Sequence, residues 1–227
     1  MRISRTFQTL IGACALAVGL AAVPTAAHAQ TPVPCSETAL VDAINAANAA
    51  GGGDLALMPF CTYTLTSAHG TGGSGPVGLP PITAPIQILG LASTIARAPS
   101  APAFRVLEVD GPANVPGTNG ALTLAAVTVQ GGKAVGDWGG GGISNLGGTL
   151  SLVSSNVTGN SAIAGGGIYT DNGGVSLTAS SVTGNTATVS GGGIYKNSGG
   201  VSLLASSVTG NTPNNCAPPG GVSFCTG

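Results

Sequence analysis

Residues 165 to 185 read GGGIYTDNGGVSLTASSVTGN, and residues 191 to 211 read GGGIYKNSGGVSLLASSVTGN. With a third copy aligned from Gly139, Ile143 matches Ile168 and Ile194, Leu150 matches Val175 and Val201, and Leu152 matches Leu177 and Leu203. Val157, Val182 and Val208 follow in register, as do Asn160, Asn185 and Asn211, in steps of 25 and 26 residues. In a weaker copy, Leu122, Leu124, Val129 and Gly131 stand 28 residues before Leu150, Leu152, Val157 and Gly159. A repeat this regular restricts the chain to architectures in which one small unit recurs and leans on its neighbours.

Within a unit, Val175 and Leu177, or Val201 and Leu203, alternate with small polar residues, a period of two that predicts strand and excludes helix. Gly-Gly and Asn-Gly clusters between these runs supply the positive φ that sharp bends need. A unit of about 25 residues is too short for a propeller blade of roughly 40 to 45. It suits one circuit of a solenoid, in which equivalent residues stack in parallel strands about 4.8 Å apart and identical aliphatics form interior columns. Asn160, Asn185 and Asn211 are then read as an internal asparagine ladder at a bend. The functional alternative is a row of ligand-binding amides.

An open stack exposes its last strands unless something covers them. Ser36 can cap a helix running to about Ala49, with Glu37 in its first turn, Leu40, Ile44 and Ala47 on one face, and Gly51 just past its end. At the other end, Pro213, Pro218 and Pro219 cannot continue a ladder. The expected organisation is therefore a leader at 1–29, a cap helix at 30–53, a β-stack at 54–212 and a C-terminal cap at 213–227. The leader is read as a secretory signal peptide cleaved after Ala29: Arg2 and Arg5 precede an apolar run from Leu10 to Val23 and the small-x-small site Ala27-His28-Ala29. That run falls short of the roughly 20 residues a spanning helix needs, so no transmembrane segment is expected in the mature chain. A competing reading makes Cys14 a lipidated cysteine.

The export reading gives Cys35, Cys61, Cys216 and Cys225 their meaning. An even number of cysteines in an exported chain points to disulfides, and their grouping at opposite ends favours Cys35 with Cys61 and Cys216 with Cys225. A zinc site is the rival, but the spacings contain no CxxC unit and no histidine stands nearby. Charge is sparse, with Arg97, Arg105, Lys133 and Lys196 the only basic residues after the leader, against seven acids. That balance argues against nucleic acid or an anionic membrane surface as partner.

The stretch CSETALVDAINAANAAGGGD followed by LALMPFCTYTLT resembles the opening of bacterial exported β-helix proteins, whose motif reads roughly Cys-Ser-Leu-Arg-Glu-Ala-Ile, then an Asn-Ala-Asn-rich helix, then a Gly-Thr-Tyr-Leu strand. The GGGIY and SSVTGN segments resemble the Gly-Gly-Ala-Ile and Phe-x-x-Asn repeats of chlamydial polymorphic outer-membrane proteins. Two departures stand out. Ser36-Glu37-Thr38-Ala39-Leu40 replaces the Arg-Glu of the opening motif, and Val157, Val182 and Val208 stand where those repeats carry Phe. No run of amphipathic strands for a translocating barrel is recognisable. The resemblance implies an all-β, right-handed parallel β-helix of the pectin-lyase-like type, a solenoid of about six coils with a short N-terminal capping helix.

That fold hosts polysaccharide lyases and hydrolases, although fold alone licenses no activity. A lyase needs clustered carboxylates and a cationic base, and a hydrolase needs paired acids about 5 to 10 Å apart. The dense group is Arg105, Glu108 and Asp110, with Lys133 and Asp137 about one coil later. Asp110, Asp137 and Lys133 are the catalytic candidates, set against a solvated pair of turns around Trp138, itself a candidate sugar-stacking ring. Asp171 and Lys196 are expected to form a surface ion pair. His69, in a Gly-rich loop with no acidic neighbour in sequence, supports neither a triad nor a metal cluster. GGGD at 51–54 lacks the second aspartate of a calcium nonapeptide, and no cofactor motif is present. The column Thr158, Thr183 and Thr209 raises a third possibility, ordering of water or ice. The reading that follows is an exported, surface-associated, non-enzymatic scaffold or interaction protein with a polysaccharide or a surface protein as partner. Carbohydrate cleavage is the alternative.

Overall fold

The computed structural model describes residues 29–136, 139–218 and 220–225. Strand dominates. In chain order the elements are β1 (Thr31–Val33), α1 (Glu37–Ala49), β2 (Gly53–Leu57), β3 (Thr62–Leu65), β4 (Gly70–Gly72), β5 (Gly75–Val77), β6 (Pro85–Arg97), β7 (Leu107–Asp110) and β8 (Ala121–Gln130). The repeats follow as β9 (Ile143–Leu146), β10 (Thr149–Val153), β11 (Asn156–Thr158), β12 (Ser161–Ala164), β13 (Ile168–Asp171), β14 (Gly173–Thr178), β15 (Ser181–Thr183), β16 (Thr186–Ser190), β17 (Ile194–Lys196), β18 (Gly199–Leu204), β19 (Ser207–Thr209) and β20 (Cys216–Ala217). Among the described residues one helix accompanies them.

Between the named strands pairing is parallel except in the β4–β5 hairpin. The largest sheet runs β1-β2-β6-β8-β10-β14-β18, with β3, β11, β15 and β19 joined to it beyond a bend. A second sheet runs β20-β17-β13-β9-β7, and β12 pairs with β16. The registers are those of the repeat: Ile143, Ile168 and Ile194 lie opposite one another, as do Leu122, Leu150, Val175 and Val201. Within the repeats each strand receives its ladder partners from strands one repeat away.

The period-two pattern sorts the side chains. Leu150 and Leu152 are fully buried while Thr149 and Val153 face outward, and Val157, Val182 and Ile168 join the same continuous core. Between the two arms of the large sheet the chain turns at Ala92, Ala126, Ser154, Ala179 and Ala205, all with positive φ. Left-handed backbone costs a non-glycine residue about 1 kcal/mol or more. Here the bend is held by serines: Ser155 accepts a bond from the Val127 N–H and donates to the Leu124 carbonyl, and Ser180 and Ser206 each accept from the serine N–H one repeat before.

At the N-terminal end, Ser36 caps α1 by accepting from the Ala39 N–H at 3.2 Å, and Leu40, Val41, Ile44 and Ala47 turn onto the core. Strand β1 precedes the helix where the sequence pattern placed only cap, because Val33 is drawn inward and its carbonyl accepts from the Tyr63 hydroxyl at 2.7 Å. Cys35 and Cys61 form a disulfide across this junction, with Cα atoms 5.9 Å apart. Cys216 and Cys225 form the second, beside Val222, which is buried at the far end of the core. Among the described residues no helix is long and apolar enough to cross a membrane.

If register carries the stability, Ile168→Ala is expected to cost about 2 to 5 kcal/mol, the range for emptying a packed core site. The outward Thr178→Ala is expected to stay within about 0.5 kcal/mol. Chemical denaturation with matched transition slopes compares the two.

Candidate functional site

Of the catalytic candidates, Asp110 and Lys133 stand on different sheets. Asp110 ends β7, opposite Leu146, and is almost fully buried. Lys133 is exposed and paired in backbone with Ser161 of β12, away from the Asp110 sheet. Asp137 and Trp138 lie outside the described residues. Asp110 instead has Glu108 and Arg105 for company, and all three are buried.

This cluster arises because all four residues of β7 are covered. Leu107 and Val109 face the core, so Glu108 and Asp110 take the outer face, where alternation would ordinarily leave them in water. Two segments roof them. The β4–β5 hairpin sets the Gly73 N–H against Glu108 Oε1 at 2.6 Å, and a Cβ on Gly72 would collide with the same carboxyl. The loop after β7 brings Asn114 Nδ2 to Asp110 Oδ1 at 2.9 Å. Arg105 lies with Nε 3.5 Å from Glu108 Oε2 and donates from its guanidinium to the Gly139 carbonyl at 3.1 Å.

Burial pushes the Glu108 carboxyl up to about 7; the Arg105 charge and the Gly73 and Ser74 N–H groups oppose the shift, and Asp110 adds to it. Burial also raises Asp110, against hydrogen bonds from Asn114 and Glu108 and the Arg105 charge. Two carboxyls this close in a dry site hold a proton between them, since both cannot ionise cheaply. The pair lies under the β4–β5 hairpin and the loop after β7, which contact Glu108 and Asp110 respectively.

A second polar group sits on the same outer face. Tyr169 and Tyr195 stack with ring centroids 5.7 Å apart and planes within 8°. Burial raises the Tyr169 phenol, followed by Asp171 and Tyr195. The repeat shows both tyrosines at equivalent places in GGGIY, so this stack was legible but not picked out. The expected Asp171–Lys196 ion pair does not form: Asp171 accepts from Asn197 Nδ2 at 3.0 Å and Ser198 Oγ at 2.7 Å, neutral donors in the bend between β17 and β18.

His69 does find an acid, contrary to its sequence neighbourhood: its Nε2 lies 2.7 Å from Glu37 Oε1 and 3.4 Å from Ser67 Oγ. Serine, histidine and glutamate thus meet, but both contacts use the same ring nitrogen. A nucleophilic triad needs the base to take the serine proton on one nitrogen while the acid orients the other, so no relay exists. The cluster works as a latch. Burial raises Glu37, yet bonds from the Thr66 hydroxyl, His69 and the Thr66 and Ser67 N–H groups outweigh it and hold the carboxyl below its ordinary range.

Asn160, Asn185 and Asn211 are buried, and each is saturated. Asn185 Oδ1 accepts from both the N–H and Nδ2 of Asn160 at 3.0 Å, and Asn211 Oδ1 does the same for Asn185. Their amides also donate to the Val129, Val157 and Val182 carbonyls. Asn215 supplies the last rung by accepting from Asn211. Amides this fully engaged have nothing left for a ligand. Thr158, Thr183 and Thr209 stand in one column that continues into Gln130. Among the described residues no group of three or more metal-ligating side chains occurs.

Comparison of the chain with protein-family models, with curated proteins and with solved structures returns no match.

Two outcomes follow. Asn185→Ala breaks bonds on both sides of its rung and is expected to cost about 3 kcal/mol through unpaired buried groups, where the exposed Asn156→Ala costs little. For Glu108, the folded-state value lies above the unfolded one, so its contribution is full below about 4.5 and is lost as pH rises through about 7. Melting temperature should therefore fall over that window, and Glu108→Gln should flatten the decline, in scans at matched ionic strength.

Proposed function

We propose that this chain is an exported right-handed parallel β-helix of the pectin-lyase-like type, serving as a non-enzymatic scaffold or interaction protein at or beyond the cell surface. Several features support this reading. Parallel strands recur at a fixed offset, and parallel crossovers are right-handed in nearly all proteins. Helix α1 at one end and the Cys216–Cys225 loop at the other suit caps of such a stack. Two disulfides suit an oxidising compartment. The charged stub, apolar run and Ala27-His28-Ala29 site suit a cleaved leader. The stretch at 35–65 resembles the opening of exported β-helix proteins.

The observation that carries the non-enzymatic part is the closure of three groups among the described residues. The asparagines are saturated by one another, the Ser67, His69 and Glu37 contacts share one nitrogen, and the acid pair is roofed by Gly72 and Gly73. Function is then left to the outer faces, where short polar side chains and few charges suit a neutral polysaccharide or another protein surface better than any polyanion.

One observation favours cleavage of carbohydrate as a second reading. Glu108 is held protonated up to about 7 beside a second carboxyl, the state a general acid needs. That role requires the β4–β5 hairpin to lift.

A panel of neutral and acidic polysaccharides separates the two. The scaffold reading expects retention of one or more polymers in affinity electrophoresis with no reducing ends or unsaturated products released. Release of product, abolished by Glu108→Gln and by Asp110→Asn, would establish the enzyme instead.

A further inference from the structure

Between His69 and Val77 the hairpin reads GTGGSGP, and none of these residues is buried. Strands β4 and β5 form a sheet of their own, and a two-stranded hairpin by itself is marginally stable in water. Its base is fastened by backbone. The His69 N–H donates to the Val77 carbonyl at 2.9 Å, the Arg105 N–H to the Pro76 carbonyl at 3.2 Å and the Gly78 N–H to the Arg105 carbonyl at 2.7 Å, while Val77 is buried. Its tip is fastened differently. The Gly73 N–H donates to Glu108 Oε1 at 2.6 Å, the Ser74 N–H bonds the same carboxyl, and Gly72 packs against it where a Cβ would not fit. With no apolar side chain to bury, the tip rests on one carboxyl.

That carboxyl is badly placed to carry a charge. Glu108 is fully buried, and Asp110 stands beside it on the same strand. Arg105, 3.5 Å away, is the cation that faces both acids, so one of the two negative charges has no counterpart. The hairpin, the loop at 111–118 and strand β9 carry no titratable side chain. Glu108 also shares a hydrogen bond with Asp110. Two carboxylates are both acceptors, so that bond exists only while a proton sits between them.

We propose that the tip of the β4–β5 hairpin is a pH-dependent lid, closed over the outer face of β7 while Glu108 holds its proton and lifted when Glu108 ionises, with the base of the hairpin staying in place. Lifting returns the carboxyl to water and to its ordinary value of about 4.5, whereas the closed form holds it up to about 7. Protonation therefore favours closure: its contribution is full below about 4.5 and is lost as pH rises to about 7. The lifted form presents Glu108 and Asp110 as carboxylates beside Arg105. A general acid must be protonated and reachable at once, and this lid sets those two conditions against each other. The inference thus goes beyond the scaffold reading, and it holds whether or not the outer faces take a partner.

Amide hydrogen exchange followed by NMR tests this on the purified chain with both disulfides formed, each rate corrected for the intrinsic pH dependence of exchange. Protection at Gly73 and Ser74 should fall more than about tenfold between about pH 5 and about pH 7 and level off above, the span set by the two values of Glu108. Val175 and Leu177, inside the stack, should keep their protection over the same range. Thr66 and Ser67, whose N–H groups bond the Glu37 carboxylate, should move the other way and lose protection as the pH falls below the ordinary carboxylate range. Glu108→Gln, which keeps an acceptor for Gly73, should leave the tip protected at every pH. A wild-type tip whose protection is independent of pH overturns the inference, and that result decides alone should the variant not fold. Loss of protection at the tip together with Val175 and Leu177 also overturns it, since the whole stack would then be loosening. A wild-type profile retained in Glu108→Gln overturns it as well, by assigning the pH dependence to another group.

Discussion

Everything in this molecule depends on the backbone hydrogen bonds between strands one repeat apart. They are the reason a step of 25 or 26 residues matters: a slip of one residue in any pass would turn Ile168 or Leu177 outward and bring a threonine or serine into the core. The bends inherit the same discipline. Because Ser154, Ala179 and Ala205 occupy the same left-handed position in successive passes, the serine after each of them meets its counterpart one strand away. The asparagine ladder works likewise, each amide completing the turn of its own pass and the turn of the next. Such features have little value singly; their stability is a property of neighbours.

Where the repeat is interrupted, the chemistry becomes unusual. The hairpin at 70–77 and the loop after Asp110 are additions to the stack, and both fold back over the first strand of the second sheet. They place Glu108 and Asp110 where the alternating pattern called for solvent-facing charge. The consequence is a carboxyl shifted upward, opposite in direction to Glu37. Glu37 is stabilised as a carboxylate, Glu108 as an acid. The two sit at different levels of energetics: one is partly exposed and screened by water, the other dry and coupled to Asp110.

Much of this was legible along the chain, and for an identifiable reason. A repeat encodes its own contacts, since residues at equivalent positions must meet, so the columns of Ile143, Ile168 and Ile194 and of Val157, Val182 and Val208 follow from alignment alone. The capped helix at Ser36 and the amphipathic spacing of Leu40, Ile44 and Ala47 are local signals of the same quality. The tyrosine stack carried that signal too, at the close of each GGGIY. Outside the repeat the signal fails. Lys133 and Asp110 lie about one repeat apart, yet the intervening segment breaks the offset and they part company. His69 gained Glu37 from a helix more than thirty positions away, a meeting that no periodicity encodes.

Within the repeats the sequence by itself determined the strands, the register and the interior columns, because these follow from a period and an alternation shared by successive copies. Tertiary structure alone decided the fate of the charged and titratable groups. Glu108 and Asp110 became a buried pair, Asp171 was taken by Asn197 and Ser198, and His69 met Glu37. The physical reason is that burial of a strand face depends on what folds over it, and segments without the repeat reach that face through space at distances the local pattern does not contain.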